Sequence, residues 1–477
     1  MMVAEVESSA SSCRGGETAG SPACGSSLAR DEAMARRISE AVAEQGGRAY
    51  YVGGCVRDWL MGRTPKDLDI EVHGIAPEQL KLLLSGFGTC MERGAGFGIL
   101  ALAGYDLDIA QPRKEEARGA RHRDFDIEVD PFIGTKRAAH RRDFIVNALM
   151  KDVLTGQVID HFGGREDLEK GILRHVSEET FADDPLRVLR GAQFAARFGF
   201  SLAPETIDLC RDVDLSTLSS ERVFDELVKA LEGSCKPSVF FETLRDMGQL
   251  DVWFPEVKDL IGVPQPPDHH PEGDVWSHTM LVLDRAAELR EGSSASVSFM
   301  LSALCHDFGK PQTTAEKNGR LHAYGHEEAG VPLAENFVRR LTRNKKLLRY
   351  VKNMVLLHMR PNMMVQRGSS QKSFNRLFDS SVAPDDLLLL ARADHEGRTG
   401  RAGSGCDEIE SELNMRLTSY RDLMARPHVT GADLVAAGLE PGPRFGDVLE
   451  YAHKLRLAGI EKDEALRQTL GFARKLK

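Results

Sequence analysis

The chain has 477 residues, of which 42% are hydrophobic and 28% are charged, and its formal net charge at pH 7 is −10. This length and composition are ordinary for a soluble globular protein of two to four domains. No apolar run is long enough to span a bilayer, so we expect no membrane partner, and the acidic total does not by itself indicate nucleic-acid binding.

The N-terminal 30 residues are rich in Ser, Gly, Ala and Cys. They have neither the apolar region of a signal peptide nor the Arg-rich pattern of a transit peptide, so we predict a disordered tail. The eight cysteines form no C-x-x-C pair, which argues against a disulfide scaffold or a zinc ribbon. Both observations favour a reducing, cytoplasmic location.

A helical pattern over residues 30–44 leads into an apolar run at 49–52 that is typical of a strand. The pair Gly53-Gly54 ends this run, and glycines let backbone N–H groups approach a ligand without an intervening Cβ. A helix is predicted to begin at Val56, and free N–H groups at a helix N-terminus favour phosphate. The segment therefore predicts a phosphate cradle.

Two predicted strands carry carboxylates next to this cradle. In the strand predicted over residues 67–72, Asp67 and Asp69 point to the same face because side chains alternate. Such a pair suits Mg²⁺, which prefers oxygen ligands shared with substrate phosphates. The strand predicted over 105–110 offers Asp108 as a third carboxylate, able to accept the proton of an attacking hydroxyl. Each feature alone is also typical of a solvated strand face.

Strand, Gly-Gly, Arg-Asp helix and D-x-D in this order resemble the head domain of the polymerase-β-like nucleotidyltransferases. The form G-G-x-V-R-D is similar to the class II tRNA nucleotidyltransferase and bacterial poly(A) polymerase family in particular. The resemblance implies that Gly54 and Arg57 contact the nucleotide. A hairpin is predicted over 91–103, and the arginine-rich loop that follows residue 110 is expected to close over nucleotide or RNA.

Residues 141–149, RRDFIVNAL, resemble the family segment R-R-D-F-T-x-N-A, with Ile145 in the place of Thr. The resemblance implies that Arg142 lies on the phosphates and Asp143 near the ribose. A helix N-terminus capped by the Asp is the alternative. The turn at 158–164 matches the turn that follows this segment in the family.

The next motif is predicted to begin a helical neck. Asp184 is expected to cap a helix on which Arg187 and Arg190 share a face. It resembles the family motif E-D-x-x-R, whose Asp and Arg read the Watson–Crick edge of the incoming base. The resemblance implies that Asp184 and Arg187 read the base and that Arg190 holds the triphosphate. Asp183 replaces the family's Glu, and Gln193 replaces a common Arg.

A Pro- and His-rich break at 264–273 predicts the start of a new domain. The residues His278, His306, Asp307 and Asp394 in this domain resemble the H…HD…D pattern of HD-domain metal phosphohydrolases. Mixed nitrogen and oxygen ligands suit a divalent transition metal, which activates a bound water. Lys310 can neutralise a phosphate, and His326 and His358 can hold a second metal or the substrate. An HD fold without activity is the alternative.

These motifs predict an α+β chain with a polymerase-β-like nucleotidyltransferase head containing a small mixed sheet, followed by an all-α neck, an HD domain and a helical tail. The predicted segments are a disordered tail (1–30), the head (31–175), the neck (176–262), the HD domain (263–400) and the helical C-terminal tail (401–477). Basic clusters at 113–142 and 339–352 can each meet a phosphate backbone or form a solvated face.

The resemblance implies nucleotidyl transfer, in which an RNA 3′-hydroxyl attacks the α-phosphate of CTP or ATP with Mg²⁺ on Asp67 and Asp69. The product implied is the 3′-terminal CCA of tRNA. The HD domain is expected to remove a 3′-phosphate or open a 2′,3′-cyclic phosphate. The alternatives are a poly(A) polymerase or an enzyme adding only CC or only A, a signalling enzyme that joins a nucleotidyltransferase to an HD hydrolase, and a non-catalytic RNA-binding protein.

Overall fold

The computed structural model describes residues 22–93, 98–117, 125–268, 270–398 and 406–476. The chain forms two compact units, Met1–Asp184 and Pro185–Lys477. The first contains a mixed sheet and the second is mainly helical, so the predicted α+β class is confirmed. In the described ranges, no helix combines the length and apolar character needed to cross a membrane.

In the first unit, the helices are α1 (Pro22–Glu44), α2 (Gly54–Leu60), α3 (Pro77–Ser85), α4 (Thr135–His140), α5 (Gly164–Lys170) and α6 (Glu178–Phe181). The strands are β1 (Arg48–Val52), β2 (Leu68–His73), β3 (Cys90–Arg93), β4 (Ile99–Leu102), β5 (Leu107–Ala110), β6 (Arg113–Ala117), β7 (Phe125–Val129), β8 (Met150–Asp152), β9 (Val158–Ile159) and β10 (Ile172–Leu173).

Seven strands form one sheet in the order β3-β4-β5-β2-β1-β8-β9. The central pair β2 and β5 is parallel, whereas the other pairs are antiparallel. Alternate residues of β1 and β2 are buried against α1 and α3, and Tyr50 and Val52, which point to the other face of β1, are buried in a second apolar cluster. The strands predicted at 49–52, 67–72 and 105–110 and the hairpin predicted over 91–103 are therefore confirmed, although residues 94–97 at its tip lie outside the described residues.

The expected disordered tail is wrong for residues 22–30, because α1 begins at Pro22. Leu28 packs against the hydrophobic core of the sheet, and the guanidinium of Arg30 lies 4.8 Å from the ring centre of Tyr105. These tertiary contacts stabilise a helical segment whose small polar residues suggested disorder. Residues 1–21 lie outside the described residues.

In two further segments of the head, the structure differs from the predicted loop and from the capped-helix alternative. Part of the arginine-rich loop is an antiparallel hairpin of β6 and β7, although residues 118–124 lie outside the described part. The motif at 141–149 begins no α-helix, and only a 3₁₀ turn spans Ile145–Asn147. Asp143 instead accepts a hydrogen bond from Phe144 N at 2.7 Å, a local contact that holds the chain extended there.

The second unit begins with α7 (Leu186–Phe198), β11 (Ser201–Leu202), α8 (Pro204–Arg211), α9 (Ser220–Gly233), α10 (Ser238–Asp246), α11 (Pro255–Lys258), α12 (Val275–Leu289), α13 (Ser296–Cys305) and α14 (Lys310–Thr313). It continues with β12 (Ala315–Lys317), β13 (Arg320–His322), α15 (His326–Leu341), α16 (Lys345–Leu357), α17 (Arg360–Gln366), α18 (Gln371–Ser380), α19 (Pro384–Glu396), α20 (Cys406–Ala425), α21 (Gly431–Ala436), α22 (Phe445–Leu457) and α23 (Lys462–Lys475).

Helix α7 starts later than the capping pattern predicted. Its N-cap position is Pro185 and no side chain caps it, so Asp184 lies one residue before the cap. Pro185 already has helical φ and ψ, so the first turn of α7 follows it directly. The helix predicted over 239–254 also ends early, at Asp246, because Gly248 adopts a positive φ of 68°.

Candidate nucleotide site and candidate metal centre

The glycine pair forms a sharp turn between β1 and α2. Gly53 has φ 73° and ψ −133°, a conformation that favours glycine. A Cβ at this position would lie 3.1 Å from Arg142 Nη1 and 3.9 Å from Asp69 Oδ2. The absence of a side chain therefore lets Arg142 and Asp69 lie against the same turn, and Gly54 begins α2 directly beside them.

Arg57 is almost fully buried and links α2 to the R-R-D motif. Its Nη1 donates to Asn147 Oδ1 at 2.7 Å, while Nε and Nη2 donate to Asp58 Oδ1 at 2.9 and 2.7 Å. Asn147 Nδ2 in turn donates to Asp143 Oδ1 at 3.0 Å. The two residues expected to contact nucleotide, Arg57 and Asp143, thus belong to one buried network that fixes the motif in place.

Glu71 is a site residue that the motif analysis missed. It is buried on β2, two residues after Asp69, and contacts His73 Nε2 at 2.9 Å and Arg142 Nη2 at 3.7 Å. Burial opposes its charge, but the hydrogen bond with His73 and the charge of Arg142 together lower its pKa. Glu71 therefore stays anionic and holds Arg142. The two-residue alternation from Asp67 was the signal that could have found it.

Four carboxylates gather where β2 and β5 begin. Asp69 pairs in register with Asp108, and Asp106 precedes Asp108 by two residues as Asp67 precedes Asp69. Burial raises the pKa of Asp69 to about 6 against the opposing charge of Arg142, and Asp108 raises it further. Burial and the neighbouring Asp106 raise the pKa of Asp67. A cluster of oxygen donors with mutual repulsion fits a divalent cation such as Mg²⁺.

The residues expected to read the base lie at the unit boundary. Asp184 is the last residue of the first unit, and Arg187 lies in the first turn of α7. Arg190 places its guanidinium 5.0 Å from the ring centre of Phe194, one turn later on the same helix. Gln193, at the position of a common family Arg, is 1% exposed, so it faces the interior of the protein.

The HD motif residues converge from the ends of several helices. His306 and His358 are the residues that follow α13 and α16, His326 begins α15, and His278 lies within α12. Their side chains are buried. Gly309 allows this arrangement, because a Cβ there would lie 2.0 Å from the carbonyl oxygen of His326. Only glycine lets the H-D-F-G segment pass so close to the start of α15.

Asp307 is the centre of this cluster. Its Oδ2 lies 3.1 Å from His306 Nε2 and 3.8 Å from His278 Nε2. Its Oδ1 lies 3.4 Å from His326 Nε2 and 3.9 Å from His358 Nε2. Asp307 therefore offers one carboxylate oxygen to each of two groups of candidate metal ligands, His278 with His306 and His326 with His358.

The ring nitrogens of these histidines are oriented by backbone carbonyls. Nδ1 of His306, His326 and His358 lies 2.7, 2.8 and 2.7 Å from the carbonyl oxygen three residues earlier. In each neutral ring Nδ1–H donates, so Nε2 presents a lone pair toward the centre. His326 Nε2 and His358 Nε2 then face each other at 3.3 Å. A proton or a bound cation between two such lone pairs removes their mutual repulsion.

Asp394 completes one side of the centre. Its Oδ1 lies 3.1 Å from His278 Nε2, and Arg398 Nη2 donates to it at 3.3 Å. Burial opposes the charges of Asp307 and Asp394, yet neighbouring His306 and Arg398, respectively, hold both carboxyl pKa values well below their usual range. Burial lowers the pKa of His358 to about 3, which keeps it neutral. Burial opposes the charge of His306, but Asp307 raises its pKa, so a metal that binds here must displace the proton of that ring.

The Pro- and His-rich break supplies outer residues that the motif analysis did not assign. Glu272 Oε1 lies 2.9 Å from His278 Nδ1 and 2.8 Å from His270 Nδ1. Although burial opposes its charge, the hydrogen bond from His278 lowers the pKa of Glu272 to about 2. Lys310 Nζ lies 2.6 Å from Asp307 Oδ2 and donates to Gln265 Oε1 at 2.7 Å. The break thus forms one wall of the centre.

Taken together, the structure brings Asp67, Asp69, Asp108 and Arg142 to one site in the first unit. It brings all seven predicted HD residues to another in the second unit. Among the described residues, groups of three ligand-type side chains with every ligand atom within 4.8 Å of the others occur in the second unit alone. Asp394 lies outside these groups but contacts His278 directly.

Three family models match the chain. A poly(A) polymerase head domain matches residues 49–174, a probable RNA- and SrmB-binding site of polymerase A matches 199–261, and an HD domain matches 275–397. A multifunctional CCA protein of Actinobacillus pleuropneumoniae serotype 5b is 38% identical over 367 residues, covering 74% of this chain and 86% of that protein. A multifunctional CCA protein of Nitrosococcus oceani is 36% identical over 422 residues, covering 87% and 98%, respectively.

Solved structures show the same fold at lower identity. The Thermotoga maritima CCA-adding enzyme complexed with tRNA superposes with a TM-score of 0.62 at 20% identity, covering 92% of this chain and 95% of that one. The Bacillus stearothermophilus CCA-adding enzyme in complex with CTP gives a TM-score of 0.63 at 21% identity, covering 92% and 97%. At these identities, the likeness establishes the architecture of the chain.

Proposed function

Because the chain belongs to the family of multifunctional CCA proteins, we propose that it adds the 3′-terminal CCA to tRNA from CTP and ATP. The motif resemblance to class II tRNA nucleotidyltransferases is thereby confirmed. The observation that carries the proposal is the carboxylate cluster: Asp67 and Asp69 lie on β2, Asp108 pairs with Asp69 on β5, and Arg142 lies against the glycine turn. This is the donor set that nucleotidyl transfer requires.

Asp67 and Asp69 would hold Mg²⁺, which when bound neutralises phosphate charge and lowers the pKa of the attacking hydroxyl. Arg142, held by Glu71 at 3.7 Å, orients the triphosphate of the nucleotide. Asp108 lies across from Asp69 and accepts the proton of the RNA 3′-hydroxyl as it attacks the α-phosphate. Gly53 and Gly54 leave room for the phosphates at the start of α2.

Base selection is assigned to the start of the neck. Asp184 and Arg187 offer hydrogen-bond acceptors and donors that match the edge of cytosine or adenine, and Arg190 binds the triphosphate. These residues lie between the head-domain match at 49–174 and the RNA-binding match at 199–261, so the assignment rests on the motif itself. A direct test compares Arg187→Ala with Arg211→Ala, an exposed arginine of the same unit. The first variant should change the ratio of CTP to ATP incorporation, and the second should not.

The second centre is proposed to hydrolyse phosphate esters at RNA ends, either a 3′-phosphate or a 2′,3′-cyclic phosphate. His278, His306, Asp307 and Asp394 would hold a divalent transition metal, which supplies an activated water when bound. Asp307 would share its second oxygen with another metal on His326 and His358, since these residues form a separate ligand group. Lys310 then neutralises phosphate charge at the edge of the centre.

The proposed domains are the head at 31–175, the neck at 176–262, the HD domain at 263–400 and the helical tail at 401–477. Each of the three family matches, at 49–174, 199–261 and 275–397, lies inside one of them. Cys55, Cys90, Cys210, Cys235 and Cys305 have free thiols, which supports the cytoplasm as the place of action.

The test is a gel assay on tRNA lacking its last three nucleotides, with labelled CTP alone, ATP alone, and both. Addition of two C residues followed by one A is expected. A long A ladder would indicate a poly(A) polymerase, and C-only or A-only products would indicate a partial enzyme. No incorporation on any RNA end would refute nucleotidyl transfer and would favour the signalling or non-catalytic alternatives.

The HD activity needs a separate assay. RNAs that end in a 3′-phosphate or a 2′,3′-cyclic phosphate are incubated with metal-stripped protein and then with Mg²⁺, Mn²⁺ or Ni²⁺. Release of phosphate, or opening of the cyclic ester, is expected with at least one of the metals. Failure on both RNAs with all three ions would refute the proposal, while CCA addition would stand independently.

A further inference from the structure

We propose that a basic groove between α15 and α16 binds the phosphate backbone of the RNA substrate. We define the basic groove by its charged lining: Glu335, Arg339, Lys345, Arg349 and Lys352. It encloses about 430 Å³ and has apolar side chains such as Leu348 in its wall. The inference deepens the proposed function, on which it rests, by assigning a second contact surface for the same RNA.

The local charge of this segment contrasts with the rest of the chain. Residues 339–352 contain seven Arg or Lys and no Asp or Glu, whereas the whole chain carries a net charge of −10. Such a concentration of one sign on one face is the electrostatic pattern of nucleic-acid binding proteins. The sequence cluster alone is equally consistent with a solvated face, but the structure collects four of these cations around one groove.

Internal ion pairs neutralise part of this charge and leave the rest available. Glu335 pairs with Arg339 at 2.7 Å and also with Lys352. Among the ion pairs of the described residues, those at the groove involve Arg339 and Lys352 and not Lys345 or Arg349, which are both exposed. The groove therefore presents a net positive charge, with one carboxylate against four cations.

The geometry of α16 connects the groove to the metal centre. Lys345, Arg349 and Lys352 follow the i, i+4, i+7 spacing of one helix face, while Val351 and Met354 on the other side are buried. The helix runs from Lys345 to Leu357, and the next residue is the candidate ligand His358. At about 1.5 Å per residue, Lys345 lies about 20 Å and Lys352 about 9 Å along the helix from His358. A few nucleotides of an RNA strand span these distances.

These features favour an RNA strand over an acidic protein or a membrane. Cations at one-turn intervals along a concave surface match a row of phosphates, which positions a nucleic acid without reading its sequence. A membrane surface would require several exposed apolar anchors beside the cations. Of the described groove lining, Val382 alone is a large exposed apolar residue, at 37%, and Leu347 and Tyr350 of α16 are buried.

The test measures binding of tRNA that lacks its last three nucleotides, by filter binding between about 50 and 300 mM salt. Replacing both free cations, Lys345→Gln with Arg349→Gln, should raise Kd about tenfold at about 100 mM salt and reduce the slope of log K against log salt by about 1.5. Glu335→Gln should act in the opposite direction and lower Kd about threefold, because it frees Arg339 and Lys352.

The matched control removes two exposed cations that are already paired and lie outside the RNA-binding match at 199–261, Arg426→Gln with Lys454→Gln. It deletes the same charge from the same unit and should leave Kd and the salt slope near those of the wild type. The proposal is overturned if the groove and control variants behave alike, or if the wild type does not bind this RNA. CTP and ATP incorporation by the wild type is scored separately, so that RNA binding without incorporation refutes the proposed reaction and not the groove.

Discussion

The two candidate sites use carboxylates in opposite electrostatic settings. In the head, Asp67 is exposed and Asp69 half-buried; burial raises both pKa values, and neighbouring carboxylates raise them further. In the HD centre, Asp307 is buried among histidines and Lys310, and its pKa is well below the usual range. A bound cation would relieve the repulsion among the carboxylates of the head cluster, whereas in the HD centre the charges of neighbouring side chains already neutralise one another.

The largest expected effect tests whether the head cluster alone carries nucleotide addition. Asp69→Asn keeps the size of the side chain but removes the charge that would hold Mg²⁺, so addition of CTP and ATP should fall by at least about 1,000-fold. Glu78→Gln, at an exposed position of the same unit, is the control and should keep full activity. RNA-end labelling that survives Asp69→Asn would remove Asp69 from the catalytic site.

The second prediction tests the independence of the HD centre. Asp307→Asn removes the carboxylate shared by both ligand groups, so bound metal and phosphate-ester hydrolysis should fall by at least about 100-fold, with CCA addition unchanged. Metal content by mass spectrometry and release of 3′-phosphate measure the effect. The exposed Asp385→Asn is the matched control. A parallel loss of CCA addition would contradict two separate sites.

A smaller effect is expected at the wall formed by the Pro- and His-rich break. Glu272→Gln weakens the acceptor for His278 Nδ1–H while leaving every proposed metal ligand present. The affinity for metal should fall about 10- to 100-fold, and hydrolysis should recover as metal concentration rises. Titration with Mn²⁺ measures the shift, and Glu316→Gln on the exposed β12 serves as the control. A loss that excess metal does not restore would assign Glu272 a direct role in hydrolysis.

The smallest effect concerns a carboxylate outside both sites. Burial raises the pKa of Asp284 to about 6, despite hydrogen bonds from Ser238 N and Oγ at 2.9 Å each. The folded state then binds more protons than the unfolded state between about pH 4 and 6, so the free energy of unfolding falls as pH rises through that window. After allowance for partial solvent exposure, the contribution is about 1–2 kcal/mol.

Asp284→Asn tests this assignment because it keeps the acceptor for Ser238 and cannot titrate. Urea unfolding of both proteins at pH 4.5 and pH 7 in metal-free buffer measures the change, and the titration of the two candidate sites cancels between variant and wild type. The variant should lose less stability than the wild type between the two pH values. Equal losses would mean that Asp284 is ionised throughout and that the raised pKa is wrong.

The motifs predicted much of the head because its chemistry is local in the chain. Alternation along one strand placed Asp67 and Asp69 together, and the register of β2 with β5 brought Asp108 opposite Asp69 as expected. Glu71 and Asp106 were missed although they obey the same alternation. Arg57 was expected to contact nucleotide, and the structure places it in a buried network with Asn147. Because Asn147 is 90 residues away in the chain, no local pattern could have identified this contact.

By itself, the sequence determined the fold class, the family and the identity of most candidate site residues, since these depend on short patterns of residue type and spacing. The tertiary structure decided what no local pattern contains: the convergence of four histidines on Asp307, the outer role of Glu272, and the groove lined by Arg339, Lys345 and Lys352. Those arrangements join residues from different helices, so they exist only after the helices pack and bury their apolar faces.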